Sequence, residues 1–131
     1  MSRFKQGLAA IAVVTMLSAV SMNAHAAPSN SLQIEDQVLC GYLSMGTNSA
    51  SGSTTYTTAK AIAVEVRYEY NCGTNLGAYQ QVTAYNANGG TSVGTTAYAN
   101  YGYINVQSVR AVGTHTVWYN NSSPISIDTS I

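Results

Sequence analysis

The clearest hydrophobic pattern in the chain is the alternation in residues 61–70, AIAVEVRYEY. The even positions are apolar or aromatic, whereas the odd positions include Glu65, Arg67 and Glu69. Alternate side chains of an extended strand point to opposite faces of a sheet. The segment therefore predicts a β-strand with one buried and one wet face, and on the wet face the three charged residues form a solvated row of ion pairs.

Turn-forming residues separate this segment from several other strand-like segments. Residues 71–75 (NCGTN), 86–90 (NANGG) and 120–124 (NNSSP) are rich in Asn and Gly, which tolerate a positive φ at little cost. Residues 46–55, GTNSASGSTT, contain no large side chain and no charge, so we expect a flexible loop or a hairpin tip there. The remaining strand-like segments are 32–45, 79–85, 95–119, which we expect to hold two or three strands, and 125–131.

No segment shows the i, i+3, i+4 spacing of an amphipathic helix. About seven short strands with turns between them are typical of an all-β domain. We therefore predict a small antiparallel β-sandwich of the immunoglobulin-like or Greek-key type.

The beginning of the chain has the three parts of a bacterial secretory signal peptide. Arg3 and Lys5 form a positive start, residues 7–20 are apolar and uncharged, and Ala24 and Ala26 supply the small residues that precede a cleavage site. We predict a signal peptide over residues 1–26 and a single mature domain over residues 27–131. The mature protein is then exported, and we expect it in the periplasm, at the cell surface or outside the cell.

The two cysteines, Cys40 and Cys72, both lie in the predicted mature domain. Export places them in an oxidising compartment, where pairs of cysteines in small domains form disulfides. A metal or catalytic site would need further ligands or a base, and the mature chain offers only His115. The sequence therefore predicts a structural disulfide between Cys40 and Cys72, and it predicts no metal and no cofactor.

Charged residues are rare in the mature chain, with three cationic and five acidic side chains and a formal charge of −2. A basic surface for nucleic acid is absent from this composition, so we expect no nucleic-acid partner. An enzyme needs several ionisable groups that converge in a cleft, and the few present are spread along different strands. His115 has no nucleophile motif beside it, so we interpret it as structural and expect a non-enzymatic protein.

Residues 95–106, TTAYANYGYINV, are dense in tyrosine and carry no charge. Tyrosine combined with Asn and Gly is typical of adaptable recognition surfaces, although tyrosine is also favoured in ordinary strands. The sequence indicates a contact region at this segment, with the following candidate residues: Tyr98, Asn100, Tyr101, Tyr103 and Asn105.

Three functional classes agree with an exported, weakly charged β-domain. The first is a surface or interaction protein that contacts protein or carbohydrate at the cell surface. It can be a fimbrial-like subunit, which self-associates, a coat protein or a binding module. The second is a secreted bacteriocin or pore-forming toxin, because alternating small polar and apolar residues are also typical of β-pores. Membrane contact belongs to this second class alone. The third is a small periplasmic inhibitor or chaperone.

Overall fold

The computed structural model describes residues 28–100, 105–120 and 123–131, and these residues form eight β-strands in two antiparallel sheets of four. The prediction of an all-β domain is confirmed, with eight strands in place of about seven. The predicted signal peptide, residues 1–26, lies outside the described residues. Within the described ranges, no helix has the length and hydropathy needed to cross a membrane.

The first sheet, called sheet A, has the strand order β1-β2-β3-β6. A two-residue turn joins β1 to β2, so the expected single strand region over 32–45 is in fact a hairpin. The connection from β5 into β6 passes through Gly89, whose φ of 73° favours glycine. The strands are β1 (Ser29–Ile34), β2 (Gln37–Met45), β3 (Ser49–Ala59) and β6 (Gly90–Tyr98).

The second sheet, called sheet B, has the strand order β5-β4-β7-β8. Strand β7, with 13 residues, is the longest described strand, and its neighbour β4 carries the alternating pattern that the sequence singles out. The predicted turns at 71–75 and 86–90 fall at the two ends of β5. The strands are β4 (Ala61–Cys72), β5 (Asn75–Asn86), β7 (Val106–Trp118) and β8 (Ile125–Ser130).

Both sheets contribute side chains to a shared core, so the inner faces of the two sheets pack against each other. Tyr68 and Tyr70, on the apolar side of β4, are almost fully buried, and their rings stack with centroids 5.2 Å apart. The predicted buried face of β4 is therefore confirmed. The larger core cluster consists of Leu43, Ala50, Val64, Val66, Tyr68, Tyr70, Cys72, Ala97, Ala99 and Ala111.

The expectation of a flexible loop or a hairpin tip over residues 46–55 is confirmed only for residues 46–48, which join β2 to β3, and is wrong for the rest of the segment, which lies in the central strand β3. Its inward positions are small, and Gly52 lies so close to sheet B that a Cβ there would come within 2.6 Å of Val66 Cγ2. A small residue is needed where large valines of the facing sheet approach the backbone. The low complexity of the segment thus reflects close packing of the two sheets.

The predicted disulfide is also wrong, because Cys40 and Cys72 are both free. Cys40 lies on β2 between the buried residues Leu39 and Gly41, so its side chain points to the outer face of sheet A. Cys72 has the inward parity of β4 in sheet B and is buried in the core. The two sulfur atoms therefore point to different sides of sheet A, and the geometry of a disulfide requires side chains that converge.

Candidate functional site

The structure describes three of the five residues of the predicted contact region. Tyr98 ends β6, opposite Ser49 of β3, and its side chain is 53% exposed on the outer face of sheet A. Asn100 is exposed, and its backbone N–H donates a hydrogen bond of 3.1 Å to Tyr70 Oη. Asn105 is exposed with a φ of 61° just before β7. The other two candidates, Tyr101 and Tyr103, lie outside the described residues.

Tyr98 belongs to a larger surface on the outer side of sheet A, which we call the hydroxyl face. The register of the four strands aligns Ser and Thr side chains in rows, and Ser51 Oγ and Thr96 Oγ1 of neighbouring strands are hydrogen-bonded at 2.8 Å. No strand of sheet A contains a charged residue. The hydroxyl face consists of Ser29, Ser31, Tyr42, Ser44, Ser51, Ser53, Thr55, Ser92, Thr96 and Tyr98.

Shallow depressions lie on both sides of Tyr42, which is 49% exposed near the middle of the hydroxyl face. One depression, of about 170 Å³, is lined by residues that include Ser44, Ser51 and Ser53. The other, of about 140 Å³, is lined by residues that include Ser29 and Ser31. An exposed aromatic ring between two hydroxyl-lined depressions can contact a ligand by stacking and by hydrogen bonds together.

The outer face of sheet B carries charged side chains that satisfy one another. Arg67 Nε lies 3.0 Å from Glu69 Oε1, and the Arg67 guanidinium lies 4.1 Å from the centre of the Tyr79 ring. Thr83 Oγ1 donates a hydrogen bond of 3.2 Å to Glu65 Oε2. The predicted wet face of β4 is thus exposed and charged, but it carries one ion pair, Arg67–Glu69, and Glu65 is bound by the Thr83 hydroxyl instead of by a cation.

The same face contains two alanines whose burial the alternation of β4 does not predict. Ala61 and Ala63 are 7% and 8% exposed although they share parity with Glu65. Tyr85 lies opposite Ala63, Trp118 lies opposite Ala61, and the two aromatic rings contact edge to face at 5.5 Å. Aromatic side chains of the neighbouring strands therefore cover this end of β4.

His115 is fully buried between the two sheets, where it bridges them by hydrogen bonds. Its Nδ1 lies 2.8 Å from Thr54 Oγ1 of sheet A, and its Nε2 lies 2.8 Å from Thr129 Oγ1 of sheet B. The ring fits because two facing positions are glycine: a Cβ at Gly41 would overlap the imidazole, and a Cβ at Gly113 would come within 2.9 Å of Nε2. The interpretation of His115 as structural agrees with this arrangement.

The partners of His115 also determine its tautomer. Thr54 Oγ1 donates its hydrogen to the carbonyl of Ala63 at 2.9 Å, so this hydroxyl can only accept from His115 Nδ1–H. The unprotonated Nε2 then accepts from Thr129. Burial lowers the pKa of His115 from 6.5 to about 4, against a smaller opposing effect of Asp128, so the neutral imidazole is the stable form.

The contact region predicted from the sequence includes Tyr98 but not Tyr42 or the rest of the hydroxyl face. Tyr42 follows the same alternation as its strand, because Leu39, Gly41 and Leu43 are all buried and Tyr42 has the opposite parity. That alternation was available in the sequence as LCGYL. The alignment of hydroxyls across four strands depends on strand order and register, which the sequence does not reveal.

Among the described residues, no group of three or more His, Cys, Asp or Glu side chains could hold a metal ion. Comparison of the chain with protein-family models, with curated proteins and with solved structures found no match.

Proposed function

We propose that this chain is an exported, non-enzymatic interaction protein that binds neutral carbohydrate at the cell surface through the hydroxyl face. The observation that carries the proposal is the combination of hydroxyl-lined depressions with the half-exposed ring of Tyr42 on a sheet without charged residues. Protein remains the alternative ligand of the same face.

Neutral carbohydrate suits this surface for two chemical reasons. Sugar hydroxyls both donate and accept hydrogen bonds, as the Ser and Thr hydroxyls of the hydroxyl face do. An aromatic ring such as Tyr42 offers an apolar plane to the C–H side of a sugar ring, together with a hydroxyl at its edge. An acidic or basic ligand would find no charged partner on the strands of sheet A.

A non-catalytic role is supported by the state of the ionisable groups. His115 is fully buried, and both of its ring nitrogens already have hydroxyl partners. Glu65 and Glu69 bind Thr83 and Arg67 on an exposed sheet face rather than in a cleft. General acid–base catalysis needs a group within hydrogen-bond reach of a substrate proton, and His115 has no such access.

The strand order favours a Greek-key sandwich within the predicted fold types. Strands β4 and β5 form a hairpin, the chain then crosses to β6, and β6 pairs with β3. In a Greek key the fourth strand returns to lie beside the first of three consecutive strands, as β6 does beside β3 in the series β3, β4 and β5. Such sandwiches present two flat outer faces, of which one is the hydroxyl face.

The experiment that tests the proposal compares two exposed tyrosines on opposite outer faces. Binding to a panel of neutral and acidic oligosaccharides is measured by calorimetry for the native protein, for Tyr42→Ala and for Tyr79→Ala. Tyr79 is a matched control because it is 53% exposed on sheet B. We expect a neutral oligosaccharide to bind, and we expect Tyr42→Ala to weaken its binding about fivefold or more, because truncated aromatic anchors cost at least ~1 kcal/mol.

Other outcomes would overturn the proposal. Equal losses in both variants would mean that the hydroxyl face is not the site, and the absence of binding to every oligosaccharide would remove carbohydrate as the ligand. The toxin class makes a different prediction, namely assembly on lipid vesicles and release of an enclosed dye. Dye release by the native protein would therefore replace the present proposal with that of a membrane-active protein.

A further inference from the structure

The outer edge of β5 is the longest unprotected strand edge of sheet B. Nine consecutive residue pairs, from Ile62–Asn86 to Tyr70–Ala78, join β5 to β4 without a bulge, while the other side of β5 has no strand partner among the residues that the structure describes. Edge strands are usually protected by charged residues, by proline, by bulges or by short length. From Asn75 to Asn86 the sequence contains no charged residue and no proline.

The opposite edges of the two sheets are better protected. Strands β1 and β8 contain six residues each, and Pro28 and Pro124 lie just before them. In addition, β8 carries the charged residue Asp128. The remaining edge strand, β6, is also uncharged, but it has nine residues and a register shift in its pairing with β3. Strand β5, with 12 residues, is therefore the longest regular edge on which another strand can add.

Hydrogen bonds at the far side of sheet B establish which groups of β5 point outward. Ala111 and Ile131 exchange two backbone hydrogen bonds, of 2.9 and 3.0 Å. Because bonding direction alternates along an antiparallel strand, the N–H and C=O of Val112 point to Arg67 on β4. The backbone N–H and C=O of Arg67 therefore bond to β7 and not to β5. Gln81 lies opposite Arg67 on β5, so the N–H and C=O of Gln81 point away from β4, to the free edge.

The alternation extends this result along the strand. The outward backbone groups belong to the odd-numbered residues of the regular part of β5, namely Tyr79, Gln81, Thr83 and Tyr85. The side chains of these four residues are also the exposed ones on the outer face of sheet B. The same four residues therefore supply the outward-pointing backbone groups and, at Tyr79 and Tyr85, the exposed aromatic side chains.

We propose that a second copy of this chain adds to this edge, so that β5 pairs antiparallel with β5 of the other copy across a two-fold axis at Val82. In this register Tyr79 pairs with Tyr85 of the other copy, and Gln81 pairs with Thr83. All four outward-facing residues then exchange hydrogen bonds, about eight in total, because each such pair makes two. The two sheets B become one continuous sheet.

The side chains fit this register as well as the backbone does. Tyr79 and Tyr85 are 53% and 59% exposed in the single chain, and the register places them opposite each other twice. Aromatic cross-strand pairs stabilise antiparallel sheets. At the centre, Gln81 and Thr83 are uncharged, so no like charges meet across the axis.

The test measures the mass of the purified protein by sedimentation velocity over a concentration series. The diagnostic variant is Gln81→Pro, which removes an N–H that points to the free edge and leaves the bonds between β5 and β4 in place. The matched control is Ser126→Pro, which removes an N–H on the free side of β8. The backbone groups of Ser126 point away from β7, because the hydrogen-bonded pairs between β7 and β8 are Gly113–Thr129 and His115–Ile127. We expect a saturable dimer for the native protein and for Ser126→Pro, and a monomer for Gln81→Pro at the same concentrations.

A second measurement keeps the proposal testable if the proline variant fails to fold. The change Gln81→Lys brings a charge to the edge, and Thr116→Lys brings the same charge to the middle of the same face on β7. We expect only Gln81→Lys to weaken the dimer. In the native protein, amide exchange at the odd residues 79–85 should slow as the concentration rises, while the even residues are protected at all concentrations.

Each alternative outcome overturns the proposal. A native monomer at every concentration would mean that the edge stays unpaired. An open-ended polymer would exclude a closed two-fold pair. A dimer that both Gln81→Pro and Gln81→Lys leave intact, or exchange protection at residues other than the odd ones of β5, would assign the interface to a different surface.

Discussion

The buried imidazole of His115 makes the stability of this domain depend on pH in a direction that the structure specifies. Burial lowers its pKa from 6.5 to about 4, so the folded state favours the neutral ring. In the unfolded chain the ring gains a proton below about pH 6.5. Between those values the unfolded state binds more protons than the folded state, so the free energy of unfolding falls as the pH falls.

The size of the effect follows from the difference between the two pKa values. Each unit of pKa difference corresponds to about 1.4 kcal/mol, so the pKa of about 4 predicts a loss of about 3 kcal/mol between pH 7 and pH 4. Well below pH 4 the ring is protonated in both states, and this contribution no longer changes. A small domain has a free energy of unfolding of about 5–15 kcal/mol, so the predicted loss is a large part of it.

The assay is urea unfolding at half-unit steps from pH 8 to pH 3.5, for the native protein and for His115→Gln. Glutamine can keep hydrogen bonds to Thr54 and Thr129 but does not titrate. Acidic side chains titrate in the same range in both proteins, so the difference between the two curves isolates the histidine. We expect the native protein to lose about 3 kcal/mol more than the variant between pH 7 and pH 4.

Two results would refute this reasoning. One is a pair of parallel stability curves, which would mean that the folded and unfolded states bind the His115 proton equally well. The other is an NMR titration of the folded protein in which the Cε1–H resonance of His115 shifts with a midpoint near pH 6.5. Either would contradict a fully buried neutral ring with hydroxyl partners on both nitrogens.

Two further predictions concern packing and the cysteines. Gly52→Ala should lower the free energy of unfolding, measured in urea, by about 1–3 kcal/mol, because the new Cβ would come within 2.6 Å of Val66 Cγ2. The control Gly94→Ala, whose Cβ would have no contact closer than 3.4 Å, should change the free energy of unfolding by less than about 0.5 kcal/mol. Equal effects would contradict the close approach of β3 to β4. A reducing agent should leave the Tm unchanged, and a thiol reagent should modify Cys40 in the folded protein but Cys72 only after unfolding; a lower Tm on reduction would show that the thiols are paired.

The fold was predictable from sequence where alternation joins large apolar residues to charged ones. In β4 the contrast between valine or tyrosine and Glu65 or Arg67 marks the two faces, and the structure has the same assignment. In β3 the same alternation involves only small residues, such as Gly52 and Ser53, and the hydropathy pattern is too weak to distinguish a strand from a loop. The reason for its small inward residues lies in the facing sheet, where Val64 and Val66 approach Gly52.

The cysteine prediction failed for a reason that the sequence does not contain. Compartment and count both favour a pair, but the geometry depends on which face of its strand each cysteine occupies. The parity of Cys40 relative to Leu39 was readable, whereas the assignment of β2 and β4 to different sheets required the strand order. Local pattern therefore predicted strand structure around Cys40 and up to Cys72, and long-range topology decided whether the two thiols could meet.

The tyrosines illustrate the same division between local pattern and topology. Tyr68 and Tyr70 are buried, whereas Tyr42 and Tyr79 are about half exposed, and parity within each strand separates the two groups. Parity does not say what an exposed tyrosine will contact. Tyr42 lies in the middle of a sheet among hydroxyls, where a flat ligand can cover it, whereas Tyr79 lies on an edge strand, where a second strand can pair beside it. The position of a strand within its sheet therefore distinguishes a tyrosine suited to ligand binding from one suited to self-association.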